Sequence, residues 1–171
     1  MKAFLDTSSL LKLYHSEAGS DRLHEILSID IEAMYLSEIA RIEFLSAIWK
    51  KIRQRDLAEE VGNAVISCFE ADFNKFLWIK LSSDVIKRAS DLLKKYGDDG
   101  LRTLDSIQLA CAVELKDENC SFFTSDRLLQ ILFNKENLNV IIYDEEPASS
   151  DSSTSASGER SSSTTEDTPQ E

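Results

Sequence analysis

The chain has 171 residues, 42% of them hydrophobic, and a formal net charge of -12, which suits one buried core and leaves no room for a second. No apolar run approaches the roughly 20 residues of a membrane-spanning helix, so a soluble protein is expected. Cys68, Cys111 and Cys120 lack CxxC spacing and the only histidines are His15 and His24. A disulfide framework, a zinc site, and serine or cysteine hydrolase chemistry are all poorly supported.

In chain order, residues 2 to 5 form a short apolar strand that runs into the helix-capping cluster Asp6-Thr7-Ser8-Ser9 and then into Leu10, Leu11, Leu13 and Tyr14. A second helix is expected from Ser20 to Leu27, and a strand from Ala33 to Leu36. Ser37 then caps a helix whose apolar stripe is read as Ile42, Leu45, Trp49 and Ile52, with Glu43 in its second turn. A long helix from Asp56 to about Asn74, carrying Leu57, Val61, Val65 and Phe69, precedes a brief strand at 76 to 79. Val85, Ala89, Leu92 and Tyr96 trace one helix face, and Gly97 stops it. Thr103 caps the next helix, with Asp105 in its first turn and Leu104, Ile107, Cys111 and Leu115 turned to a core. Ser121 to Thr124 is a strand leading to Ser125-Asp126 and a helix from about Arg127 to Leu132, and Val140 to Tyr143 is the last strand.

Short apolar strands alternating with amphipathic helices imply a three-layer α/β/α domain, residues 1 to 146, around a short central parallel sheet. Residues 147 to 171 are Ser, Thr, Asp and Glu with almost no large apolar side chain, the composition of a disordered tail. From Asp144 onward, eight acids oppose the single base Arg160, so that segment carries -7 and the remainder only -5. Net charge therefore does not exclude a polyanionic substrate. The N-terminus shows no signal-peptide pattern, so export is not expected and the cysteines read as small core residues in a reducing cytoplasm.

Asp6, Glu43, Asp105 and Asp126 stand where strands give way to helices or one turn into a helix, among apolar or small residues where an unpaired carboxylate is costly to desolvate. In an open parallel sheet such positions collect at the carboxyl ends of the strands. Oxygen-only ligation suits Mg²⁺ or Mn²⁺, and phosphodiester hydrolysis is the reaction class that follows. If they crowd to about 5 Å, the carboxylates repel by roughly 3 kcal/mol per pair at an effective dielectric near 20.

The segments Phe4-Leu5-Asp6-Thr7-Ser8-Ser9, Ser37-Glu38-Ile39-Ala40-Arg41-Ile42-Glu43-Phe44, Leu101-Arg102-Thr103-Leu104-Asp105-Ser106-Ile107-Gln108 and Phe123-Thr124-Ser125-Asp126-Arg127-Leu128 resemble the four motifs of PIN-domain ribonucleases, above all the VapC-type toxins of toxin-antitoxin pairs. The resemblance spans about residues 2 to 143. It implies that Asp6, Glu43, Asp105 and Asp126 are the catalytic quartet holding Mg²⁺ or Mn²⁺, and that Ser8 and Thr124 orient carboxylates or water. It also implies an RNA substrate, a homodimer and a cognate antitoxin protein. Ser106 and Gln108 stand where alanine and histidine are common in the family. Lys50, Lys51, Arg53, Arg55 and Arg102 are available for phosphates. The competing readings are a haloacid-dehalogenase-like phosphatase, which lacks its second aspartate because Ser8 holds that place, a phosphoreceiver, which needs acids next to Asp6, and a catalytically idle PIN-like module that only binds RNA or protein.

Overall fold

The computed structural model describes residues 1–144; the expected tail at 147–171 and the expected domain boundary at 146 lie outside the described residues. Five strands form, β1 (Lys2–Leu5), β2 (Ala33–Ser37), β3 (Leu77–Ile79), β4 (Cys120–Phe123) and β5 (Asn139–Ile141). They alternate with α1 (Thr7–Tyr14), α2 (Ser20–Leu27), α3 (Ala40–Gln54), α4 (Glu59–Ala71), α5 (Ser83–Tyr96), α6 (Thr103–Glu114) and α7 (Arg127–Lys135). All pairings are parallel, in the order β3-β2-β1-β4-β5.

The central strands are apolar on both faces because both faces are covered. The two-residue period of a strand sends Phe4 and Phe122 into one core, shared with Val85, Ala89 and Leu92 of α5, Leu109 of α6 and Leu132 of α7. Ala3, Leu5 and Phe123 point the other way, to Leu10 of α1, Leu23 of α2, Phe44 and Ile48 of α3 and Phe69 of α4. The second layer is aromatic: Phe44 and Phe69 stack with centroids 4.2 Å apart, and Tyr14 meets both edge-on. These rings bury large apolar surface on that side, and their edge-on and offset contacts add to it.

Several local expectations are corrected. Ser37 is the last residue of β2 rather than a cap, and α3 starts after Ile39 with no side-chain cap; the strand's pairing with β3 claims Ser37 first. Thr103 is likewise the first residue of α6, preceded by Arg102. The buried stripe of α3 is Ala40, Phe44 and Ile48, whereas Ile42 is 70% exposed and Trp49 is also exposed. Leu104 and Val61 are exposed as well. The long helix ends at Ala71 and a 3-10 turn, Phe73–Lys75, follows. Cys111 and Cys120 are core residues, but Cys68 is on the surface. No helix among the described residues is long and apolar enough to cross a membrane.

Candidate active site at the sheet's switch point

From β1 the chain proceeds outward to β2 and β3, then returns to β4 beside β1 and proceeds outward the other way to β5. Strand order therefore reverses between β1 and β4, and a crevice opens at their carboxyl ends. Asp6 follows β1 directly, its amide donating to the Phe123 carbonyl of β4 at 3.1 Å. Thr124, Ser125 and Asp126 follow β4 on the same edge.

Asp6 is only 4% exposed and sits in a cradle of donors. Its Oδ1 accepts from Ser8 Oγ at 2.7 Å and from the Ser9 amide at 3.0 Å, capping α1, and its Oδ2 accepts from Thr124 Oγ1 at 2.9 Å. Thr124 Oγ1 in turn accepts the Asp126 amide at 3.0 Å, and Ser8 Oγ accepts the Ser125 amide at 2.8 Å. These donors favour the charged form, yet burial outweighs them and raises the Asp6 carboxyl to about 6.

Asp105 is half-buried in the first turn of α6. Its carboxyl is raised by burial, then by the charges of Asp126 and Glu43, while Arg102 opposes. Glu43 lies in the first turn of α3, not the second, and its Oε2 accepts from both Thr7 Oγ1 and Gln108 Nε2. Gln108 Nε2 also reaches Thr7 Oγ1 at 2.9 Å, which fixes the start of α1 against α6 one turn beyond Asp105. Asp126 is exposed and caps α7 by accepting the Leu129 amide at 2.9 Å. The four acids, distant in the sequence, thus lie along one edge of the sheet, with Asp105 within reach of the charges of Asp126 and Glu43.

The structure departs from expectation in two respects. Asp126 is not in a dehydrating setting, because its helix end faces solvent. Nor do the acids form a tight knot: among the described residues no three His, Cys, Asp or Glu side chains are grouped as a ready metal site. Glu43 is occupied by Thr7 and Gln108, and Asp126 by its helix. The donor set still fits a hard divalent cation, being all oxygen, and the raised carboxyls of Asp6 and Asp105 mark where positive charge would be welcome.

Sequence reasoning missed Thr7 and Gln108, and with them Ser9, Ser125 and Tyr143 around the cradle. Gln108 left a signal, being the one polar side chain in the run Ile107 to Ala112; in the fold it is 2% exposed, and its Oε1 has no partner among the described residues. Its other end, Nε2, donates to Thr7 and Glu43, which accounts for a polar side chain at this buried position.

A family model of the PIN domain matches residues 3–131. A search of curated proteins finds no significant match. Among solved structures, the chain is similar to FitAcB from Neisseria gonorrhoeae, at 17% identity and a TM-score of 0.60 over 82% of this chain and 96% of that one. VapBC-1 from nontypeable Haemophilus influenzae gives 13% identity and a TM-score of 0.59 over 85% of this chain and 100% of that one. VapC20 from Mycobacterium tuberculosis, described as a Sarcin-Ricin loop cleaving toxin, gives 12% identity and a TM-score of 0.58 over 76% and 94%. At such identities the likeness is one of fold.

Proposed function

The chain belongs to the PIN domain family, and on that footing we propose that it is a cytoplasmic, metal-dependent endoribonuclease acting as the toxin of a type II toxin-antitoxin pair. One observation supports the reading: Asp6 at the switch point is buried in a cradle of hydroxyl and amide donors, and Asp105 lies within reach of the charges of Asp126 and Glu43. Likeness in fold to a cleaving toxin and to VapBC assemblies supports it.

Asp6 and Asp105 are the principal ligands in this proposal, with Glu43 and Asp126 completing the set. Mg²⁺ or Mn²⁺, when bound, supplies charge neutralisation at the scissile phosphate and a water of lowered pKa. Ser8 and Thr124 hold both oxygens of Asp6, so its orientation is set before substrate arrives. Glu43 uses only Oε2 for Thr7 and Gln108, which leaves Oε1 to orient a water or take its proton. Arg102, beside Asp105, and Lys50, in a shallow groove with Glu43, are available to substrate phosphates in this proposal. Exposed Ile42 and Leu104 give that same groove an apolar wall; the proposal includes a homodimer, with the antitoxin as the partner that restrains the site.

The test is to incubate the purified protein, freed of antitoxin, with total RNA in Mg²⁺ or Mn²⁺ and again in EDTA. Cleavage only with metal is expected, and metal-independent cleavage rejects the mechanism. The idle-module reading draws on the engagement of Glu43 by Thr7 and Gln108; a folded protein that binds RNA and cuts none under either condition would favour it.

A further inference from the structure

We infer that Tyr143 is a positioning residue whose hydroxyl ties together the two chain segments carrying Asp6 and Asp126, holding the cradle in the geometry that accepts a divalent cation. This rests on the metal-dependent reading given above.

Tyr143 lies just beyond β5, and its side chain is buried. The ring packs against Phe123 with centroids 6.3 Å apart, and Lys12 Nζ stands 5.2 Å from its centre. A phenylalanine would satisfy that packing. The hydroxyl has different work: it lies 2.7 Å from Ser9 Oγ and 2.7 Å from Ser125 Oγ. Ser9 belongs to the first turn of α1, and its amide donates to Asp6 Oδ1. Ser125 belongs to the loop after β4, and its amide donates to Ser8 Oγ, which donates to the same Oδ1. Both donors on that oxygen are therefore linked to the phenol, one through Ser9 and the other through Ser125.

The three hydroxyls form a chain in which each can donate to the next, so the link survives either direction of donation. Burial pushes the Tyr143 phenol up to about 12, and it remains a neutral bridging hydroxyl at physiological pH. Ser125 immediately precedes Asp126, whose own amide is held by Thr124. The phenol thus bridges the segment that follows β1 and the segment that follows β4. Groups bonded directly to a metal's ligands set their orientation, and losing one costs about 10- to 100-fold in metal affinity; the phenol acts one bond further out, through Ser9 and Ser125, so the lower end of that range is the expected effect.

Full-length Tyr143→Phe, titrated with Mn²⁺ while the thermal midpoint is followed, is the test. The metal-free midpoint should stay within a few degrees of the parent, because the ring is kept. The Mn²⁺ concentration giving half the shift should rise about tenfold, and the Mn²⁺ needed for half-maximal RNA cleavage should rise by the same factor, with the KM for RNA at saturating Mn²⁺ unchanged. Ser125→Ala, which cuts the other end of the link, should move the same two concentrations and carries the test if Tyr143→Phe melts early. A parent that responds to Mn²⁺ while both variants respond at the parental concentration overturns this inference alone. A parent with no Mn²⁺ response overturns the metal reading, and this inference with it.

Discussion

Replacing Asp6 by asparagine should stabilise the metal-free protein at neutral pH. In the unfolded chain Asp6 titrates at its ordinary 3.8, whereas in the folded protein burial raises it to about 6. Between those values the folded state binds the extra proton, so stability falls as pH rises through the window. The loss is absent below the unfolded value and complete above the folded one. A difference of about two units corresponds to about 3 kcal/mol. Asparagine keeps the shape: its amide oxygen can accept from Ser9 and Ser8 as Oδ1 does, and its NH₂ can donate to Thr124 Oγ1 once that hydroxyl turns. Denaturant unfolding in EDTA near pH 7.5 should therefore show the variant about 3 kcal/mol more stable, or about 6 to 12 °C higher in midpoint for a domain of this size. The margin should shrink towards zero near pH 4. A variant no more stable than the parent at neutral pH, or a margin that does not change with pH, would refute the reasoning. Saturating Mg²⁺ should reverse the order, since only the parent keeps the full ligand.

Asp105→Asn should abolish RNA cleavage while leaving the metal-free protein as stable as the parent or more so, because burial and the charges of Asp126 and Glu43 already raise that carboxyl; single-turnover assays paired with EDTA melts check both halves. Thr124→Val, at a fully buried site, strips a donor from Asp6 Oδ2 and an acceptor from the Asp126 amide, and denaturant midpoints should show a loss of about 1–3 kcal/mol.

All five strands were legible, because β1, β2 and β4 are apolar runs bounded by turn or capping residues, and Asp6 and Asp126 announce the helices that follow by capping them. Strand order was not legible: a parallel sheet of apolar strands carries no local mark of its neighbours, and only the fold shows that β1 meets β4. The face of α3 was misjudged because two apolar stripes run along it. Phe44 and Ile48 face the aromatic layer, and Ile42 and Trp49 face out. The acids themselves could be picked out as charges in apolar surroundings, but their partners could not. Thr7 and Ser9 look like ordinary capping residues, Tyr143 like a strand end, and what each hydroxyl touches depends on segments more than a hundred residues away. Gln108 was visible as an amide in an apolar run, though nothing local says that it reaches Glu43.

The central claim is that side chains from four separate segments share one hard cation. Mn²⁺ binding followed by electron paramagnetic resonance tests it without relying on cleavage. Saturable Mn²⁺ binding by the parent, weakened at least tenfold by Asp6→Asn and by Asp105→Asn alike, is the predicted result. Equal binding by the parent and both variants, or no saturable binding by the parent, would contradict the account.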